Sequence, residues 1–395
     1  MNGTVLNKTE LAAWRSLLAR PDSKERWLSA GIYLFAALII PFAGESTFCM
    51  LFIGACVAFL LTKTHTFRAV LAPGIPALAL FSLSGSMVAP AIFFALLFGA
   101  ATGAILLLSA RNAREGILLA ELPLLAFLVA WLISGNPLIA LLTLIPLPLA
   151  LIGTLAVRRC KPFTAAIAAI AAVLVGTLIS VAVIAIAAIN PQNFDLVHHI
   201  PTLTSLLTEA VSETVNEVAA LYPEMAITAV FTPTMIHNMI ALMINLSPGI
   251  LIAVCLIVAY FIWRTLCTLL VALGMLPRLP RVFTTPITSA ISAILFILAF
   301  LVAFFANSAY TPVGAVAENF ALILTPVFSL IGFSALFGRS AQRSCLSVLL
   351  LIGVAYLLFN NLPLAFTLTA LYGAVHALIF TYQSTKNPNN KKGEP

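Results

Sequence analysis

The sequence predicts an all-α, polytopic transmembrane helical bundle of about twelve spans, and three observations carry that expectation. Of 395 residues, 62% are hydrophobic and only 8% are charged, where a soluble domain has roughly 45–50% and about 25%. Apolar runs of about 20 residues recur along the chain, each long enough to cross roughly 30 Å of hydrocarbon. None of them alternates with the period of two that a membrane β-barrel requires, so helices must satisfy their backbone groups. The mean hydropathy of +1.11 agrees.

Apolar runs and their breakers place the spans at 28–44, 47–62, 68–84, 88–109, 117–133 and 137–156. They continue at 163–189, 248–274, 284–307, 313–336, 342–359 and 363–382. The first two and the eleventh are short or tightly connected, so the range is about ten to twelve. Residues 1–27 read as a polar cytoplasmic segment, without the short basic stretch, apolar core and small-residue cleavage site of a signal peptide. In it, Leu11, Trp14, Leu17 and Leu18 can form one face on a membrane surface. Asp22 and Glu25 have the spacing of the N-cap and N3 residues of a helix entering the first span. Residues 383–395 read as a disordered cytoplasmic tail.

Charge sets the expected orientation. The 20 Lys and Arg residues fall in the N-terminus, in alternate short loops and in the C-terminal tail. Twelve spans with a cytoplasmic N-terminus put every one of them on the cytoplasmic side, as the positive-inside rule demands. Both termini are then cytoplasmic, and the expected location is the bacterial inner membrane. The sequence pI near 9.3 is therefore a topology signal. No basic run interleaved with aromatics marks a nucleic-acid surface. Cys49, Cys56, Cys160, Cys255, Cys267 and Cys345 lie in or beside apolar spans with no CxxC pair, as small hydrophobes in helix packing do.

The same orientation places 28–189 as a bundle of about seven spans, 190–247 outside, and 248–382 as about five more. The outer segment holds Asp195, Glu209, Glu213, Glu217 and Glu224 and no basic residue. Within TEAVSETVNEV, the three glutamates Glu209, Glu213 and Glu217 share one helical face. Leu207, Val211, Val215, Val218 and Tyr222 line the opposite one. Such a helix is expected flat on the outer surface, carboxylates to water. Residues 225–246, broken by Pro233, His237 and Asn238, are expected as a second interfacial or re-entrant helix, because another crossing would invert every later loop.

Small residues recur at every fourth position in Ala91, Ala95, Gly99 and Gly103, and again in Ala168, Ala172, Gly176 and Ser180. Such stripes let helix backbones approach closely, within the chain or against another membrane subunit. Proline pairs at Pro73/Pro76 and Pro146/Pro148 should break or kink their spans. Ionisable or strongly polar groups inside spans are candidate buried ligand contacts, since hydrocarbon penalises them. They are Glu121, which can instead snorkel beside Arg114, Glu318 with its neighbour Asn319, and His376. Asp195, His198 and His199 match no standard metal framework. No HExxH, GxSxG, CxxC or GxxxxGK[ST] occurs, so neither an enzyme activity nor a resident cofactor is expected.

SPGILIAVCLIVAYFIWRTLCTLL with LPRLPRV (247–282), ENFALILTPVFSLIGFSALFGRSAQR (318–343) and the closing pair of spans over 345–382 carry a likeness. They resemble the YybS-like family of predicted bacterial membrane proteins, which have a domain of unknown function. The resemblance covers roughly residues 140–382. The family's glutamine before the glycine of SLIGFS and its Phe-Asp-Phe-Arg-like ending, replaced here by LIFTYQSTK, are absent, as in a distant member. The family's early spans resemble the S subunits of energy-coupling-factor transporters. What this implies is a polytopic fold and a transport setting; it carries over no binding or catalytic residue.

Two functions follow as expectations. One is a small-molecule transporter or substrate-binding transport subunit, whose partners would be the bilayer, a small-molecule ligand and an energising ATPase. The other is a non-catalytic scaffold in an envelope membrane complex, docking another membrane subunit through the small-residue stripes and outer helix. A lipid-modifying enzyme using the outer glutamates and histidines has no motif behind it.

Overall fold

The computed structural model of the chain describes residues 18–44, 46–110, 113–189, 196–222, 231–280, 290–306, 311–340 and 361–386, with the single positions 283 and 353. All regular structure among them is helical. In chain order the helices are α1 (Ser23–Phe42), α2 (Ser46–Thr64), α3 (Phe67–Ser84), α4 (Val88–Ser109) and α5 (Ala113–Ser134). Next come α6 (Pro137–Leu141), a 3-10 turn (Leu142–Leu144), α7 (Pro146–Arg158), α8 (Phe163–Ile189) and α9 (Leu196–Leu221). The last are α10 (Pro233–Ala272), α11 (Ala290–Ala306), α12 (Pro312–Ser340) and α13 (Leu362–Lys386). The expected eleventh span at 342–359 and the N-terminal face of Leu11, Trp14 and Leu17 lie outside the described residues.

Among the described residues, eight helices are long and apolar enough to cross a membrane: α1 to α4, the run Pro137–Arg158, α8, α10 and α12. Shorter apolar helices cover Glu121–Ser134, Ala290–Ala306 and Leu364–Ile379. Leu83, Leu132 and Phe305 are 82%, 84% and 79% exposed. Large apolar side chains standing outward on helix after helix are what a hydrocarbon solvent selects.

Several boundaries follow from local chemistry. Asp22 occupies the N-cap of α1, as its spacing predicts, yet its side chain makes no capping hydrogen bond. Glu25 is drawn instead into an ion pair with Lys63. Pro146 and Pro148 do break their span: the chain passes through the 3-10 turn and restarts with Pro146 at the first helical position. Pro73 and Pro76, in contrast, are carried inside the uninterrupted α3. The expected tail also begins later than 383, because α13 continues to Lys386.

The largest departure is at 225–246. Residues 233–247 are no separate interfacial or re-entrant helix; they run without a break through Pro248 into the 40-residue α10. Residues 223–230 lie outside the described residues.

The chain divides into two compact units, one of Met1–Ala185 with Cys255–Ile287 and one of Ile186–Val254 with Thr288–Pro395. Unit 1 is built around α4, of whose apolar window 78% is buried. The stripe predicted there is why. A methyl added at Gly99 would lie 3.0 Å from Pro146 Cβ and 3.4 Å from Ala36 Cβ. At Gly103 it would lie 2.8 Å from both Ala150 Cβ and Tyr33 Cε2. Glycine therefore lets α1 and α7 approach α4 on two sides, and the stripe serves intramolecular packing. The pairings Ala36–Gly99 and Tyr33–Gly103 make α1 antiparallel to α4; Gly99–Pro146 and Gly103–Ala150 make α7 parallel to it. Aromatic edges fill the remaining space, including Phe93 against Phe261, Phe163 against Tyr260, and Trp263 against Phe283. The second stripe behaves differently: Ala168, Ala172, Gly176 and Ser180 are exposed, while Ala166, Ile167, Ile170, Ala171 and Leu174 turn inward.

One end of unit 1 gathers its charges. Lys63 pairs with Glu25, and Glu115 accepts from Arg20 at 3.2 Å with Arg26 3.7 Å away. Arg158 donates to the Leu107 carbonyl at 2.9 Å, and Ala19 N–H donates to the Met275 carbonyl at 2.9 Å. The start of α1, the end of α2, the start of α5, the ends of α4 and α7, and the chain after α10 thus share one end.

Unit 2 is held by α11, α12 and α13. Phe296 stacks on Phe328 at 5.0 Å within a cluster that includes Ala293, Ala321, Ala370 and Ala374. A Cβ on Gly332 would collide with the Thr369 carbonyl, and one on Gly373 with the Phe328 carbonyl, so backbone lies on backbone there. Ser329 crosses the same interface, donating to the Phe366 carbonyl at 2.9 Å.

Candidate functional site

The polar feature that unit 2 builds most deliberately is a repaired break in α10. Pro248 has no N–H, and in a helix its ring crowds the carbonyl four residues back, at Ile244. Ser247 hydroxyl takes up that orphaned carbonyl, donating to Ile244 O at 2.8 Å. One residue on, Gly249 N–H and Asn245 C=O are the pair that an unbroken ladder would join. The Asn319 side chain, from α12, sits across that pair. Its Oδ1 accepts from Gly249 N–H at 2.7 Å, and its Nδ2 donates to Asn245 O at 2.9 Å. Nδ2 also donates to Ala315 O at 2.9 Å, one turn back on α12. A Cβ at Gly249 would stand 2.9 Å from Asn319 Cα and 3.1 Å from Asn319 O, so only glycine admits the amide. The sequence Asn-Leu-Ser-Pro-Gly (245–249) is thus a helix joint completed by a residue 70 positions away.

Asn319 was a candidate ligand contact from sequence. Both of its amide hydrogens are committed to backbone carbonyls, which makes it a clamp on the joint. Glu318, beside it, is half-buried. The ion pairs among the described residues lie in unit 1, so no cation of unit 2 offsets this carboxylate there. His376 is half-buried on α13, its ring 6.3 Å from that of Tyr372. It lies one turn from Gly373, at the close crossing with Gly332. Thirteen residues of α12 separate Asn319 from Gly332, about 20 Å of helix. The Asn319 amide makes its hydrogen bonds to Gly249, Asn245 and Ala315, none of them to His376.

Glu121 is exposed on α5. Its expected partner, the Arg114 side chain, lies outside the described residues, and the carboxylate that engages arginines on that helix is Glu115. Glu209, Glu213 and Glu217 are exposed on α9, as the periodicity predicts. Leu207, Val211, Val218 and Tyr222, opposite them, are exposed as well, between 38% and 54%. The covered edge runs instead along Thr204, Thr208, Ser212, Val215 and Ala219. Thr208 Oγ1 and His237 Nδ1, 3.5 Å apart, join that edge to α10. Asp195 and the His198 and His199 side chains lie outside the described residues, and among the described ones no three His, Cys, Asp or Glu groups gather as metal ligands.

A second polar feature in unit 1 escaped sequence reading. Glu25, Ser29 and Tyr33 follow one another at four-residue spacing on α1. Their Oε2, Oγ and OH atoms are buried without a hydrogen-bond partner among the described residues. The spacing was visible in the sequence, although Ser29 and Tyr33 are ordinary residues for a span. The cysteines Cys49, Cys56, Cys160, Cys255 and Cys267 are free and buried. Burial raises the pKa of the Cys160 thiol, in the turn between α7 and α8. No protein-family model, curated protein or solved structure matches the chain.

Proposed function

We propose that the chain is a multi-pass protein of the bacterial inner membrane and acts as a small-molecule transporter or as the substrate-binding subunit of one. The observation that carries this reading is the joint at Asn245–Gly249 clamped by Asn319. α10 continues through this joint, but a proline inside a span whose backbone polar groups are taken up by a neighbouring helix is akin to the discontinuous helices that recur in transporters. Glu318, half-buried beside the clamp and without an ion-pair partner among the described residues, supplies a charge where hydrocarbon disfavours one. On this reading both termini are cytoplasmic, the chain crosses about twelve times, and the charged end of unit 1 faces the cytoplasm. The chain is then a distant YybS-like relative whose energy comes from a gradient or from a partner ATPase, since it has no phosphate-cradling loop of its own.

Purification of the full chain in mild detergent, with mass spectrometry of what it retains, tests the proposal. The expected result is a bound metabolite or a copurifying ATPase pair, with retention of the metabolite reduced in Asn319→Ala. A stable envelope partner, no ligand and no effect of Asn319→Ala would favour the scaffold instead. The exposed apolar face of α9 would then be its docking surface.

A further inference from the structure

The column Glu25–Ser29–Tyr33 is costly as it stands. Ser29 is 0% and Tyr33 2% exposed, and neither hydroxyl has a partner among the described residues. A buried hydroxyl left without a hydrogen bond costs about 1–3 kcal/mol by protein mutational measures. The usual escape for a helical serine or threonine is to bond the carbonyl four residues back, and the chain uses it widely. Thr102 does so to Phe98, Thr154 to Ala150 at 2.7 Å and Thr177 to Val173 at 2.7 Å. Ser29 does not, and a tyrosine hydroxyl cannot. Both are held in the protein interior at a place where alanine and phenylalanine would pack without penalty.

Three further facts surround the column. Tyr33 lines a small cavity of about 10 Å³ with Gly103, Leu106, Leu107, Leu147 and Ala150. That is about the space one water centre occupies. Leu107, on the cavity wall, lies in the last turn of α4, where carbonyls have no partner in the ladder. Its carbonyl accepts from Arg158 and has a second lone pair to offer. At the outer end, Glu25 keeps one carboxylate oxygen on Lys63 and leaves Oε2 unpartnered. From Glu25 to Tyr33 is eight residues of helix, about 12 Å, so the column leads from the charged end of unit 1 towards its centre.

We infer that Glu25, Ser29 and Tyr33 form a built hydration site: ordered water connects the Glu25 carboxylate, the Ser29 hydroxyl and the Tyr33 hydroxyl, and occupies the cavity beside Tyr33. Water supplies both the donors that Glu25 lacks and the partners that the two hydroxyls lack, and it fits where a larger ligand does not. The site gives an apolar bundle a polar, proton-exchanging route inward. It holds whether or not the protein transports anything.

Hydroxyl-radical footprinting of the full chain in detergent micelles or lipid nanodiscs tests the inference, because radicals formed from bound water label the side chains touching it. Phe94 and Phe98, 1% and 0% exposed in the same unit, are the controls. Tyr33 should label several-fold faster than either, and Ser29→Ala should bring its rate down towards theirs. Labelling of Tyr33 no faster than Phe94 and Phe98 would overturn the site. A rate unchanged in Ser29→Ala would overturn the connection through Ser29. Thermal unfolding of Tyr33→Phe gives a reading independent of labelling. Loss of a water-bonded hydroxyl lowers Tm, while a Tm that is unchanged or raised means the hydroxyl was unpartnered and sinks the proposal.

Discussion

The two units solve the same problem, holding helices together in an apolar solvent, by different means. Unit 1 surrounds one nearly buried helix, α4, with aromatic rings and gathers its ion pairs at one end. Among the described residues of unit 2, no helix is buried to that extent. This unit relies on two places where backbone meets backbone or amide: the Gly332–Gly373 crossing and the Asn319 clamp on α10. Lipid gives no hydrophobic drive for helices to associate, so close contact and hydrogen bonds must supply it. Unit 1 spreads that work over many side chains, whereas unit 2 concentrates it in a few. Single substitutions should therefore hurt unit 2 more.

Gly332→Leu should have the largest effect. Even a methyl there collides with the Thr369 carbonyl, so α12 and α13 must separate, at a cost of about 3 kcal/mol or more. Limited proteolysis should then cut unit 2 while leaving unit 1 resistant; equal resistance of both would refute the concentration of strength at that crossing. Asn319→Ala comes next, with an expected loss of about 2 kcal/mol in thermal unfolding. Gly249 N–H and Asn245 C=O lose their bridge, although they can partly re-pair with each other. In unit 1, Gly103→Ala should cost about 1–2 kcal/mol, because its new methyl meets the movable Tyr33 ring and the Ala150 methyl. Glu115→Gln should cost under about 1 kcal/mol, since the pairs with Arg20 and Arg26 are about one-third exposed. A loss in Glu115→Gln as large as that in Asn319→Ala would erase the contrast between the units. The smallest effect is chemical. With its pKa raised by burial, Cys160 holds less thiolate near neutral pH than a free cysteine. Its maleimide labelling should be slow there and increase only as the pH rises above the ordinary thiol range.

Much of this architecture was legible in the sequence because membrane helices are written locally. The limits of α4 and α8 fall where the apolar runs at 88–109 and 163–189 end, and the fourfold stripe in α4 names its own packing face. The acidic face of α9 needed nothing beyond a period of 3.6. What failed was Pro248. A proline at the head of an apolar run reads as a boundary, and it would be one if Ser247 and Asn319 did not repair the ladder. That repair joins residues 70 positions apart, and no local pattern announces it. Asn319 was visible as a polar residue in a span, but its function as a clamp depends on Gly249. Gly332, within SLIGFS, has no stripe of its own, whereas Gly373 lies in a fourfold row of small buried residues, Ala365, Thr369, Gly373 and Ala377, that the sequence reading passed over. The meaning of the two glycines lies in each other's backbone.

The exposed carboxylates of α9 carry a consequence for ionic strength. Glu209, Glu213 and Glu217 stand at successive four-residue steps, a spacing at which like charges repel by about 0.2–0.5 kcal/mol per pair. Counter-ions shield that repulsion, so added salt should firm this helix. The same salt weakens the pairs that tie Glu25 and Glu115 to their cations, because screening reaches attraction and repulsion alike. Sodium chloride thus pulls the two regions in opposite directions, tightening the acidic helix while loosening the charged end of the bundle.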